Sequence, residues 1–127
     1  MLGRFPLSLL LLMNDSRYPW FVLVPQRSDI REIFQLPEID RQHLLKESCT
    51  LAEALTATYA PDKLNVAAIG NLVPQLHLHH VVRYRTDAVW PAPVWGKLPA
   101  IPYGEQGLAV LRQRMRDLGM AEFLPQD

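Results

Sequence analysis

Residues 75–81 read Gln75-Leu76-His77-Leu78-His79-His80-Val81, a stretch that combines the pattern of a β-strand with a concentration of polar side chains. Successive side chains of a strand point to opposite faces of the sheet. Positions 75, 77 and 79 therefore form one row, in which an amide and two imidazoles follow each other about 7 Å apart. Positions 76, 78, 80 and 82 form a mostly apolar row, which we expect to pack on a helix.

The polar row identifies His77, His79 and Gln75 as candidate catalytic residues. A free imidazole titrates near 6.5, so it is mostly neutral at cellular pH and its nitrogen can attack phosphorus. Neighbouring imidazole and amide groups can hold phosphate oxygens. The simpler interpretation is that both histidines are structural, but two of them on one face beside an amide favour a phosphate-handling site. His80 lies on the apolar face and is predicted to be a hydrogen-bonded core or edge histidine.

The rest of the chain predicts an α+β fold with an antiparallel sheet of about five strands, one of which has no clear place in the sequence. The proline-punctuated apolar segments predict strands at 7–13, 18–24, 64–69 and 76–84, of which the first two form a hairpin through the turn at 14–17. Ser28 and Asp29 can cap a helical turn that ends near Phe34. A long helix is predicted from about Pro37 to Tyr59 and a C-terminal helix at 105–118. The apolar stripe predicted for the long helix comprises Leu44, Leu45, Ser48, Leu51, Ala52, Leu55 and Tyr59.

Length and composition exclude several classes of protein. A chain of 127 residues fits one domain, predicted to span 1–127, and its net charge of zero argues against a general nucleic-acid-binding protein. The single cysteine, Cys49, cannot form an internal disulfide; we expect it in the core of a cytoplasmic protein. The segment 7–13 is interpreted as a buried strand rather than a signal peptide, and no stretch is long enough to cross a membrane.

Several motifs occur in an order that resembles the histidine triad (HIT-like) superfamily. Residues 75–81 resemble its motif His-φ-His-φ-His-φ-φ, in which φ is an apolar residue, with Gln75 in place of the first histidine. Residues 11–25 resemble the early hairpin of that superfamily, and 71–75 resemble its approach to the triad. The segment Trp90-Pro91-Ala92-Pro93-Val94-Trp95-Gly96 is similar to the tail of a bacterial branch.

The resemblance implies a nucleotide-binding hydrolase or transferase that needs no cofactor. In the family the middle histidine, which matches His77, attacks the α-phosphorus of a dinucleoside polyphosphate or nucleotidyl phosphoramidate, and water then cleaves the nucleotidyl-histidine. The last histidine, which matches His79, binds phosphate oxygens. The resemblance further implies that Asn71 contacts phosphate, that Asn14 or Asp15 contacts the ribose, and that the protein forms a homodimer.

Three departures from the family pattern bear on turnover. Gln75 removes one titratable group from the triad, and Trp20 stands near a position where relatives often carry a further histidine. Leu72 also replaces a hydroxyl that related members often offer. A nucleotide sensor without turnover therefore stays open as an alternative.

A metal site is the remaining alternative, because His-x-His on one strand face is a real zinc arrangement. His43 and Asp87 are the only obvious sources of a third ligand. Arg83 and Arg85 share the face of His77 and either attract phosphate or pair with Asp87. Trp90 and Trp95 could stack on a base, cover a dimer interface or pack in the interior.

Overall fold

The sheet has six strands, all paired antiparallel, in a computed structural model that describes residues 1–127. Its spatial order is β4-β5-β3-β2-β1-β6. The strands are β1 (Gly3–Arg4), β2 (Ser8–Leu12), β3 (Trp20–Pro25), β4 (Lys63–Ala67), β5 (Leu78–Arg83) and β6 (Leu124–Pro125), and the helices are α1 (Glu38–Tyr59) and α2 (Glu105–Asp117). The predicted α+β class and antiparallel sheet are confirmed. The difference in strand number comes from β1 and β6, whose two residues each are too few to give a sequence pattern.

Helix α1 begins and ends close to the residues predicted. Pro37 precedes it in an extended conformation, and Glu38 and Asp40 place negative charge at its first turn, where it complements the helix dipole. The helix ends at Ala60, whose φ of 45° is left-handed and which is followed by Pro61. The boundaries follow from these local signals, so they were accessible to sequence reasoning.

The buried stripe of α1 differs from the predicted one. Leu45 is two-thirds exposed, so its assignment to the stripe was wrong, whereas the charged residues Asp40 and Glu47 are buried. The Asp40 carboxylate accepts a 2.8 Å hydrogen bond from the Arg27 guanidinium, and Glu47 accepts one from the Leu7 N–H. A buried carboxylate requires such partners, and both come from distant parts of the chain.

The two faces of the sheet carry different clusters of apolar side chains. One face packs against α1 and α2 and forms the larger cluster, which includes Phe21, Leu23, Leu78 and Val82. The opposite face carries a smaller cluster that comprises Tyr18, Trp20, Val22, Val81 and Val94. His77 and His79 share the parity of Val81, so they belong to this second face.

His80 lies on the helix-covered face and is completely buried. Its Nε2 lies 2.7 Å from the Ser48 hydroxyl of α1, and its Nδ1 lies 3.2 Å from the Leu78 carbonyl oxygen. A carbonyl only accepts, so Nδ1 carries the proton and Nε2 accepts from Ser48. Burial lowers the pKa of His80 to about 4. His80 is therefore a neutral core residue that links the sheet to α1.

A buried ion pair between Arg83 and Asp87 shapes the loop that follows β5. The Arg83 Nε donates to Asp87 over 2.7 Å, and the same carboxylate accepts the N–H groups of Val89 and Trp90. Burial alone would raise the pKa of the Asp87 carboxyl, but hydrogen bonds from Arg83 and the backbone hold it below its usual value. Arg83 thus pairs with Asp87, while Arg85 donates its backbone N–H to Asp62 over 2.8 Å and its exposed guanidinium lies 4.0 Å from the same carboxylate.

Two smaller predictions were wrong. The helical turn between β3 and α1 is a 3-10 helix at Ile33–Gln35 rather than a turn that begins at Ser28. The Gln35 side chain accepts the N–H groups of Arg31 and Glu32 and so fixes the start of that turn. Cys49 is exposed on α1 instead of buried. Neither α1 nor α2 has the length and apolar character of a membrane span.

Candidate functional site

His77 lies immediately before β5 and has one ring nitrogen held by the backbone. Its Nδ1 is 2.7 Å from the Gln75 carbonyl oxygen. Because that oxygen only accepts, Nδ1 carries the proton and Nε2 keeps its lone pair. The Nε2 atom has no hydrogen-bond partner within the protein. The local backbone therefore orients the ring through Nδ1 and leaves Nε2 free of protein contacts.

Gly70 makes the space in which the His77 ring lies. A Cβ atom at position 70 would overlap Cε1 of His77 and would lie 3.1 Å from its Nε2. Both the ring and the Gly70 backbone are fixed by their neighbours, so the overlap could be relieved only if one of them moved. The sequence pattern did not identify this contact. A glycine beside an active histidine gives no signal in one sequence.

His79 is in a different environment from His77, although the two ring centres are only 5.0 Å apart. Its side chain is 5% exposed. The Trp20 indole N–H donates to Nδ1 over 3.0 Å, so the ring proton must be on Nε2, which donates to the Ile69 carbonyl oxygen over 3.2 Å. Burial, and next the neighbouring His77, lower the pKa of His79. Both ring nitrogens of His79 are thus hydrogen-bonded within the protein.

Two cavities meet at His77, and they differ in character. An apolar cavity of about 410 Å³ lies over the open part of the second sheet face. Its volume is within the range of small-molecule sites. Its lining comprises Leu11, Leu12, Met13, Val22, Val24, Val73, Gln75, His77 and His79. Alternation in β2 and β3 places Leu11, Val22 and Val24 on one face of the sheet, but the sequence did not identify them as part of a site.

The second cavity, of about 240 Å³, is polar. It lies along the segment 68–77 and is also lined by Arg31 and Glu32. The structure brings Asn71, Gln75 and His77 together here, as the sequence predicted. The Gln75 Nε2 atom donates to the Pro25 carbonyl oxygen over 3.2 Å and, more weakly, to the Leu76 carbonyl oxygen over 3.4 Å.

The structure does not bring Asn14 and Asp15 into either cavity. The Asn14 amide oxygen accepts the N–H of Tyr103 over 2.9 Å. The Asp15 carboxylate is buried and accepts the N–H groups of Arg17 and Ile101. Both side chains therefore fasten the first hairpin to the segment that leads into α2. Their acceptor atoms are used within the protein in this structure, so the expected contact with ribose stays a prediction.

Trp95 and its neighbours cover the far side of His79. The Trp95 ring centre lies 5.4 Å from that of His79 and 5.8 Å from that of Trp20. Its indole nitrogen is buried without a hydrogen-bond partner. Trp95 therefore packs in the interior behind the histidines, and Trp90 lies against the Arg83 guanidinium.

The structure offers no third metal ligand to His77 and His79. No group of three or more histidine, cysteine, aspartate or glutamate side chains is arranged to hold a metal ion. His43 is on α1, which packs on the opposite sheet face, and Asp87 is bound to Arg83. The residues present thus do not support the metal alternative.

Comparison with known proteins points to one family. Residues 1–86 match the family described as HIT domain. A histidine triad protein from Marinobacter aquaeolei is 51% identical, with 91% of this chain and 85% of that chain covered and a TM-score of 0.89. Histidine triad proteins from Bradyrhizobium japonicum and Sinorhizobium meliloti are each 40% identical over 91% of this chain, with 87% and 85% of those chains covered and TM-scores of 0.88 and 0.87. A search of curated protein sequences gave no significant match.

Proposed function

Because the chain belongs to the HIT domain family, we propose that it is a nucleotide hydrolase or transferase that acts on the α-phosphate of nucleotide conjugates. The observation that carries this proposal is the state of His77. Its Nδ1 is tied to the Gln75 carbonyl, and its free Nε2 stands where an apolar and a polar cavity meet. That arrangement suits a substrate with an apolar ring at one end and phosphate at the other.

In this proposal, different parts of the substrate occupy the two cavities. The base lies on the aliphatic surface of Leu11, Val22 and Val24, and the α-phosphate lies beside His77. The Asn71 amide donates to its non-bridging oxygens, and the Gln75 amide does so by exchanging its 3.4 Å bond to the Leu76 carbonyl oxygen for one to phosphate. Gln75 thereby takes the place of the first triad histidine as a neutral donor. The leaving group extends into the polar cavity towards Arg31.

The reaction follows from the tautomer of His77. The Nε2 lone pair attacks the α-phosphorus, and the bond to the leaving group breaks with its electron pair going to that group, which takes up a proton. The imidazole of the nucleotidyl-histidine is cationic, and its Nδ1–H strengthens its bond to the Gln75 carbonyl as charge develops. Water then attacks phosphorus and His77 leaves as neutral imidazole. Covalent capture replaces one difficult displacement by two easier ones.

The test is the His77→Ala variant, with His43→Ala as a matched control because His43 is exposed on α1. Wild type and control should release nucleoside monophosphate from a dinucleoside polyphosphate or a nucleotidyl phosphoramidate without added metal. The His77 variant should lose about a thousandfold or more in turnover because it lacks the nucleophile. It should still bind nucleoside monophosphate, since the proposed binding groups are separate. Turnover in the His77 variant equal to that of the control would rule out the covalent route.

A nucleotide sensor without turnover is the second candidate. It is favoured by the environment of His79, whose two nitrogens are both bound within the protein and so offer no free donor. Mass spectrometry of the protein after mixing with substrate separates the candidates. A nucleotidyl adduct on His77 indicates the enzyme, whereas binding of nucleoside monophosphate without adduct or product indicates the sensor. We place either activity in the cytoplasm, where a chain with one cysteine needs no oxidising environment.

A further inference from the structure

We propose that Trp20 is a positioning residue for His77: its indole N–H fixes His79 as the Nε2–H tautomer, and His79 in turn holds Ile69 and Gly70 against the nucleophile. This inference rests on the proposed function for its effect on rate, but its structural part does not. It assigns His79 a role within the protein in place of a direct contact with phosphate.

The first step concerns the tautomer. A neutral imidazole has one donor and one acceptor nitrogen, and either can carry the proton. The Trp20 indole can only donate, so its 3.0 Å bond requires an unprotonated Nδ1 on His79. The proton is then on Nε2. Because the two rings are buried together, water cannot replace this bond if the indole N–H is removed.

The second step joins His79 to the loop before the polar cavity. Only the Nε2–H tautomer can donate to the Ile69 carbonyl oxygen, 3.2 Å away. Ile69 follows β4 and precedes Gly70, so this bond fixes the backbone at the point where it passes the His77 ring. In the Nδ1–H tautomer, the Nε2 lone pair would face the Ile69 carbonyl oxygen, and the two would repel each other.

The third step joins the loop to the nucleophile. Gly70 lies so close to the His77 ring that a single added carbon would overlap Cε1. On its other side the ring is tied to the Gln75 carbonyl. His77 is therefore held between two backbone segments, and the position of one depends on the hydrogen bonds of His79. Displacement of Ile69 and Gly70 would let the imidazole tilt away from the attack geometry.

The experiment compares Trp20→Phe with Trp95→Phe. Both variants remove an indole N–H from the same aromatic cluster, but only the Trp20 N–H is bonded to His79, since the Trp95 nitrogen has no partner. Nitrogen-15 NMR of the histidine side chains reports the tautomer directly. Wild type and Trp95→Phe should show His79 as a single Nε2–H tautomer, whereas Trp20→Phe should show a mixture.

The kinetic readout is the rate of nucleotidyl transfer to His77. Loss of one buried hydrogen bond should lower kcat about tenfold in Trp20→Phe relative to Trp95→Phe, with KM within about twofold, because the substrate-binding groups are untouched. A single unchanged tautomer in Trp20→Phe would overturn the proposal. A mixed tautomer with undiminished transfer would overturn the link to His77. If wild type transfers no nucleotide, the proposed function fails, and the tautomer still decides whether Trp20 positions His79.

Discussion

His77 and His79 are two residues apart in sequence, yet different neighbours give them different chemistry. His77 is held by a backbone carbonyl and keeps a free nitrogen, whereas His79 is enclosed by Trp20 and Trp95 and has none. Strand alternation predicted that both side chains share a face, which is correct. It could not predict that one imidazole is half-buried and the other buried, because the enclosing tryptophans come from β3 and from the loop after β5.

Gly70 gives the sharpest residue-level prediction about the site. Gly70→Ala should lower kcat for nucleotidyl transfer by about tenfold or more, since the added methyl group must push the His77 ring from its place. Gly104→Ala is the control, because a Cβ at position 104 has no atom within 4 Å. Single-turnover kinetics on both variants measures the effect. Equal rates would show that the His77 ring has room to accommodate the methyl group.

At the scale of elements, the contact between β5 and α1 depends on a polar pair inside an apolar interface. The His80 ring accepts from Ser48 and donates to the Leu78 carbonyl, so each buried polar group is satisfied. The apolar row of the strand predicted that this face packs on α1. Sequence periodicity placed Ser48 in the same helical stripe, but it did not reveal that Ser48 and His80 meet.

This pair predicts how stability depends on pH. The pKa of His80 is about 4 in the folded protein and about 6.5 when unfolded, so its contribution is fully present above pH 6.5 and is lost as the pH falls towards 4. Between pH 7 and pH 5 the free energy of unfolding should fall by about 2 kcal/mol from this group. Urea unfolding of wild type and of a Ser48→Ala/His80→Val double variant measures the difference. An equal fall in both proteins would contradict the assignment.

How well each element could be predicted depends on how local its determinants are. Helix α1 has its proline, its acidic first turn and its left-handed last residue within its own sequence, and its bounds were predicted closely. Strand β1 pairs with β2 nearby in sequence, but β6 exists because Leu124 and Pro125 pair with Arg4 and Gly3 at the other end of the chain. Their side chains show no pattern over two residues. Long-range pairing of this kind is invisible to periodicity.

At the scale of the whole molecule, the chain after β5 closes the site from behind. The Arg83–Asp87 ion pair sets the start of that loop, and Val94 and Trp95 pack on the second sheet face. Asn14 then fixes Tyr103 shortly before α2 begins. The tryptophan- and proline-rich segment could be predicted as a loop from its composition. The surface on which this loop packs could not be predicted, because the residues that it contacts lie in the first hairpin.

The whole molecule also has an unpaired sheet edge, from which we predict a homodimer. Strand β4 pairs with β5 on one side only, and Val66 and Ile69 beside this edge are about 47% and 39% exposed. An exposed strand edge with apolar side chains is stabilised by pairing with a second copy across a two-fold axis. Sedimentation should therefore show a dimer at micromolar concentration. Val66→Asp should weaken the dimer affinity at least about tenfold, because it places two like charges at the interface along β4. Val110→Asp, on the exposed face of α2, should leave the dimer affinity unchanged. A wild-type monomer would refute the dimer, and an unaffected dimer in Val66→Asp would show that the copies meet at a surface other than β4.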